Sequence, residues 1–202
     1  MDREFNLIIV LEELEGNKQN WTILHQCLLM LFDSPINHAG LLEVYIKLFK
    51  DSRVIKLHKE VRIPRTFKRF EQLFINFLNG CDMPLVQTKD GPARLFQFIT
   101  KPMEKILPNN CVTYRIANLT SRVRNPAFLT TPVERYHREV IFIEFGPVDF
   151  NFLGNSRELE YEIKVKDKNP PTGTYSISHY PLSPSLTCVK VLTAFEKALE
   201  IF

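Results

Sequence analysis

Four cations, Arg62, Arg65, Lys68 and Arg69, fall within eight residues in the stretch RIPRTFKRF. A guanidinium fork matches the paired oxygens of a phosphate, so the chemistry this spacing offers is capture of a polyanionic partner. Arg65 and Arg69 are four apart and on a helix would share a face near its start, where the macrodipole is positive and carboxylates are the stabilising choice. Cations at that place point to an anion that arrives from outside. The same residues also read as a solvated helix start that tolerates its charges. Pro64 fixes the backbone just ahead of the run and limits the paths by which the arginines are presented.

Two more stretches carry groups of interest. DSPINHAG, residues 33–40, offers Asp33 as a carboxylate and Asn37 as an amide at the mouth of a site, or the same pair as a cap and a turn for the backbone. SISHYPLSPSLTC, residues 176–188, runs from a strand-like segment through Tyr180-Pro181 into a helix start. Such a turn at the carboxyl edge of an α/β sheet is a common ligand site, and free N–H groups at the start of the following helix suit a carboxylate. It also reads as an ordinary connection, with His179 a surface histidine and not a general base. There is no P-loop, G-x-S-x-G, H-E-x-x-H or G-x-G-x-x-G. Cys27, Cys81, Cys111 and Cys188 are scattered without a C-x-x-C pair, so neither a zinc site nor a disulfide framework is expected, and a reducing compartment fits.

The elements that must hold these groups are legible from periodicity. LIIVL (7–11) and VIFIEF (140–145) are short apolar runs of the kind that form strands covered on both faces. Trp21, Leu24, Leu28, Leu31 and Phe32 recur at helical spacing, with Leu29 and Met30 making the other side apolar, so a buried helix should end at the DSPINHAG loop. LLEVYIKLF and VIKL, separated by KDSR, predict a β-hairpin. From Arg62 to Gly80, Phe67, Phe70, Phe74, Phe77 and Leu78 share one helical face, Arg65, Arg69, Gln72 and Asn76 lie on the far side, and Asn79-Gly80 gives a C-terminal stop. GPARLFQFI reads as a short helix, CVTYRIA as a strand, and 118–138 as a polar, basic surface loop. The last helix begins with Ser183 as cap and Pro184 at its first position, and carries Leu192, Phe195, Leu199 and Phe202 in one stripe.

With 202 residues, 45% of them hydrophobic, the chain is long enough for one well-filled core, and a single domain over 1–202 is expected. The start carries acidic charge around a five-residue apolar run, and no stretch approaches the roughly 18 apolar residues of a membrane span, which predicts a soluble, unsecreted protein. A net charge of +3 is too small to imply nucleic acid by itself; the uneven placement of the basic residues carries that argument.

Three blocks, HQCLLMLFDSPINHAGLLEVYI, VRIPRTFKRF and YSISHYPLSPSLTCVKVLTAFE, resemble the ribosome-biogenesis family of N1-specific pseudouridine methyltransferases, of the knotted SPOUT superfamily. The resemblance runs, with weaker similarity between the blocks, from His25 to Phe202. It implies an α/β SPOUT-type fold with a C-terminal trefoil knot, an exception to the rule against knots, together with a β-hairpin and helix insertion. It implies S-adenosylmethionine as cofactor, held largely by backbone at Ile177, Ser178, His179, Tyr180, Pro181 and Leu182, with Gly146 nearby. It also implies RNA contacts by Arg62, Arg65 and Arg69, with Asn37 beside them, on a hairpin loop of small-subunit rRNA. Asp33 is the nearest carboxylate in a matching segment and is assigned the catalytic role; no metal is implied. A homodimer, a nucleolar location and small-subunit assembly factors as further partners follow from the same resemblance. Two departures stand out. Asn20, Trp21 and Thr22 replace the family's Arg-Pro-Asp in a shortened segment before His25, and IEFGPVDFNFLG lacks a clear His-Gly while Glu144 or Asp149 adds negative charge near the cofactor. The rival reading is a non-catalytic rRNA-binding assembly factor with the same fold.

Overall fold

The computed structural model describes residues 5–13, 18–48, 53–81, 83, 85–88, 91–100, 105, 107, 111–117, 120, 122–136, 140–145 and 173–201. Five strands form a parallel array: β1 (Asn6–Glu13), β2 (Leu42–Leu48), β7 (Val112–Ile116), β8 (Val140–Phe145) and β9 (Gly173–Tyr175). β3 (Val54–Leu57) and β6 (Phe96–Ile99) extend it antiparallel, in the order β6-β3-β2-β1-β8-β7-β9. β1 lies between β2 and β8, as its unbroken apolar run requires, and Leu7, Ile9 and Leu11 are fully buried.

One face of this sheet takes the helices. α1 (Lys18–Phe32), α3 (Phe67–Leu78) and α5 (Pro184–Leu199) pack Leu24, Leu28, Leu31, Phe70, Phe74, Val191 and Phe195 against Leu7, Ile9, Val44 and Ile46. The other face buries a smaller cluster of Ile8, Val10, Tyr45, Val54 and Phe142. The two faces follow from strand alternation alone, since successive side chains point to opposite sides.

The hairpin of β2 and β3 and the start of α5 form as the sequence predicts, while α5 ends at Leu199, with Glu200 left-handed at φ 56°, short of the Phe202 that the predicted apolar stripe includes. Ser183 Oγ accepts from Leu186 N at 3.3 Å, with Pro184 at the first helical position. α3 closes as its Asn-Gly ending implies. Gly80 adopts φ +79°, its N–H donates to Phe77 O at 3.1 Å, and Cys81 N donates to Asn76 O at 3.0 Å, a pairing that satisfies carbonyls otherwise orphaned at a helix end.

Several expectations are corrected. α3 starts at Phe67 after an extended Thr66, so Arg65 stands before the helix and shares no helical face with Arg69. GPARLFQFI is not helical: Gly91–Arg94 is β5, paired with β4 (Leu85–Thr88), and Phe96–Ile99 pairs with the sheet edge at β3. Gly91 at φ +109° opens the stretch outside helical geometry, and Phe96 in, Gln97 out is a strand's alternation. The DSPINHAG turn contains a one-turn helix, α2 (Pro35–His38), because Pro35 suits a first helical position as well as it ends the preceding helix. Residues 118–138 are not merely a surface loop. A 3₁₀ turn (Pro126–Thr130) and α4 (Thr131–Tyr136) fold there, and Leu129 and Thr130 are buried. Finally, the strand before the 177–182 turn is Gly173–Tyr175, with Ser176 making only an isolated bridge to Val123.

Candidate functional site

The basic segment is fixed before it reaches α3. Along residues 61–65, Val61 and Ile63 go into the core while Arg62 and Arg65 face out. Between them, the Pro64 carbonyl accepts a 2.6 Å hydrogen bond from His25 Nε2. A carbonyl can only accept, so Nε2 carries the proton. His25 is itself buried on α1, its ring stacked on Phe70 with centroids 4.8 Å apart. Arg65 is thus presented by a backbone tied to α1, and Lys68 and Arg69 follow, exposed, on the first turn of α3.

The turn after α1 meets this segment. Ser34 caps α2 through Asn37 N at 3.3 Å and donates to Leu31 O at 2.7 Å. Asn37 is buried; its Nδ2 donates to Phe32 O at 3.1 Å and to Lys59 O at 3.3 Å, which joins the two segments. Its Oδ1 is buried without a hydrogen-bond partner. Asp33 takes both prongs of Arg65: Nη1 donates to Oδ2 and Nη2 to Oδ1 at 3.2 Å. The structure therefore brings Asp33, Asn37 and Arg65 to one junction. Both members of the ion pair stay well exposed, 74% for Arg65 and 46% for Asp33. Such a pair contributes only about 0–1 kcal/mol.

The second corner lies where β7 and β9 end. Ser176 N donates to Arg122 O at 3.0 Å and Arg124 N to Ser176 O at 2.9 Å, so the chain leaving β9 stays laced to 122–124. Ser176 Oγ donates to Ser178 O at 2.8 Å, and Ser178 Oγ accepts from Tyr180 N at 3.0 Å. These serine contacts set the backbone path of 176–180 before Ser183 starts α5. Ile177 is buried, Ser178 and Leu182 are half-buried, and His179, Tyr180 and Pro181 are exposed. Tyr114, Phe128 and Tyr175 pack together near the end of β9, with centroids 4.9 to 6.2 Å apart. The Tyr114 hydroxyl is buried without a partner, and burial with the nearby Tyr175 pushes it above the usual phenol range. Gly146 lies outside the described residues, as does Asp149.

One feature had no counterpart in the sequence reading as a unit. Glu12, Lys47, Glu144 and Arg115 lie side by side near the carboxyl ends of β1, β2, β8 and β7, on the face away from the helices. Lys47 Nζ reaches Glu12 at 2.8 Å and Glu144 at 3.3 Å; Arg115 reaches Glu12 at 2.5 Å and Glu144 at 2.8 Å. Glu144 is therefore held within an internally neutral ring and is not a free negative charge. Burial pushes the Glu144 carboxyl above the usual carboxylate range. Burial is also the largest influence on Glu12, but the Lys47 hydrogen bond and the charges of Arg115 and Lys47 together bring it below that range. The signal was present in the sequence: charged residues sit near the end of each central strand, but their register was not.

The model of the EMG1/NEP1 methyltransferase family matches residues 12–196. The chain is 36% identical over 179 residues to the mouse "Ribosomal RNA small subunit methyltransferase NEP1", covering 87% of this chain and 63% of that one. It is 36% identical over 178 residues to the human protein of that name, with the same shares, and 35% identical over 181 residues to mra1 of Schizosaccharomyces pombe, covering 89% and 45%. It thus spans less than two thirds of the length of these relatives. In structure it resembles Archaeoglobus fulgidus Nep1 bound to S-adenosylhomocysteine, with a TM-score of 0.61 and 19% identity over 89% of this chain and 71% of that one. That likeness carries the fold: a largely parallel sheet of the Nep1 type. The chain belongs to the EMG1/NEP1 methyltransferase family.

Proposed function

We propose that this chain methylates N1 of a pseudouridine in a hairpin loop of small-subunit rRNA, with S-adenosylmethionine as donor, and takes part in small-subunit assembly. The observation that carries the reading is the junction of Arg65 and Asp33, held to α1 by His25, in a chain of this family. Exposed Arg62, Arg65 and Arg69 would set the register on the phosphates of a single-stranded loop, whose base is free to be splayed out. The small-subunit rRNA assignment comes from the names of the relatives.

The residues at the second corner fit the cofactor. Backbone groups of 177–182, ordered by Ser176 and Ser178, would hold it, and the unpartnered Tyr114 hydroxyl adds a polar atom in the neighbouring cluster. When bound, S-adenosylmethionine supplies an electrophilic sulfonium methyl, so aligning the ring nitrogen accounts for much of the rate. Asp33 takes the N1 proton once Arg65 turns to phosphate. In this reading the chain is one domain, works as a homodimer with the C-terminal segment knotted, and acts in the nucleolus.

The second reading is a non-catalytic assembly factor. It is favoured by Trp21, which stands in place of the family's Pro and packs edge-on against Phe74 at 5.5 Å, a core role. Calorimetric titration with S-adenosylmethionine and S-adenosylhomocysteine separates the two. Saturable binding of either supports the enzyme, and none from folded protein supports the assembly factor.

A further inference from the structure

We infer that Asp33 is a resident stand-in for phosphate on Arg65, exchanged when RNA binds, and that this exchange makes it a specificity-determining residue. The inference rests on the rRNA reading and deepens it. Among the described residues, Arg65 alone of the four clustered cations holds a carboxylate. The fork-to-carboxylate geometry is the one a guanidinium uses for phosphate. The pair is exposed enough for phosphate oxygens to reach the same guanidinium. The backbone beneath it is pinned by the His25 bond to Pro64 and by buried Ile63, so exchange needs only side-chain rotation.

The energetic consequence is asymmetric. Any phosphate chain that uses Arg65 must first separate it from Asp33, which weakens binding to RNA in general. The released carboxylate can accept a hydrogen bond, and a splayed-out pseudouridine offers two ring N–H donors, N1–H and N3–H, where uridine offers only N3–H. A pseudouridine loop therefore satisfies both released groups. A strand whose bases stay stacked, with no N–H placed at Asp33, satisfies only Arg65 and leaves Asp33 close to its phosphates. Asp33 thus suppresses non-specific binding while favouring the target, which is discrimination by an unfavourable alternative as well as a favourable one.

The test measures affinity against salt for polyuridine and for a pseudouridine-containing hairpin, with wild type, Asp33→Asn, Arg65→Ala and the double variant. Asp33→Asn is expected to bind polyuridine about two- to fivefold more tightly, with a salt slope steeper by up to about 0.7, the value for one added phosphate contact on a single strand. Its preference for the hairpin should shrink. In the Arg65→Ala background the gain should vanish, because the two residues act as a pair. An unchanged slope in Asp33→Asn, or an equal gain without Arg65, would overturn the exchange while leaving the rRNA reading intact. Wild type that binds neither RNA would overturn that reading and the exchange with it.

Discussion

His25 Nε2 donates to the carbonyl of Pro64 across 2.6 Å, a bond between residues 39 apart in sequence that ties α1 to the backbone just ahead of Arg65. His25→Leu keeps an apolar body against Phe70 but leaves the carbonyl without its donor. The expected loss is about 1–3 kcal/mol, seen as a lower Tm, together with weaker binding of an RNA hairpin at temperatures where the variant is fully folded. His25→Gln can still donate and should recover part of the RNA affinity. Equal RNA binding by wild type and His25→Leu would show that the bond supports the fold only.

Arg115 is 12% exposed in its side chain and bonds both Glu12 and Glu144. Replacing it with methionine leaves two neighbouring carboxylates with Lys47 alone. Removing one member of a buried ion network typically costs on the order of 3–5 kcal/mol, and urea unfolding at neutral pH should show a loss of that size. A change below about 1 kcal/mol would mean that water already solvates the ring.

Glu43 gives a pH-dependent prediction. Burial pushes its carboxyl up, but hydrogen bonds from Tyr45, Lys56 and Asn6 at 2.6 to 2.9 Å outweigh that and hold it below its ordinary value of 4.5. A carboxyl whose pKa is lower folded than unfolded stabilises the fold above the unfolded value and ceases to do so as pH falls through the folded one. Wild type should therefore exceed Glu43→Gln in stability at pH 7, and the gap should narrow as pH is taken below 4.5. A gap that widens in acid would reverse the assigned direction.

Ser183 caps α5 directly after the proposed cofactor loop. Ser183→Ala should cost about 1 kcal/mol, and for a chain of this size lower Tm by a few degrees. Because the cap also anchors the end of residues 177–182, S-adenosylhomocysteine affinity should fall with it. Unchanged affinity in calorimetry would place the cofactor away from that end of the loop.

Much of the framework was legible because it rests on local periodicity. The apolar run of β1, the aromatic stripe of α3 and the Ser183-Pro184 start of α5 each specify their own element. Some errors were local, as at the α3 start and the Pro35 turn, and the largest fell where tertiary pairing decides. Phe96–Ile99 is a strand because the edge of β3 is open to it, and nothing local announces that edge. Within the site, the arginines and the Asp-Asn turn stood out by residue type, and the family resemblance directed attention to 177–182. The Arg65 pair with Asp33, the His25 clamp and the four-charge ring each join residues between 29 and 103 apart, and only the folded register brings them together.

The central claim is methyl transfer to pseudouridine N1. Its most direct test is single-turnover incubation of the protein with labelled S-adenosylmethionine and two rRNA hairpins that differ only in pseudouridine or uridine at the loop position, followed by mass spectrometry of the nucleosides. The expected result is one added methyl, on N1, with the pseudouridine hairpin alone, and a rate about 10²–10⁴-fold lower for Asp33→Asn, the usual range for loss of general-base help. No methyl on either hairpin, from protein that binds both RNA and S-adenosylhomocysteine, would contradict it and leave the assembly-factor reading in its place.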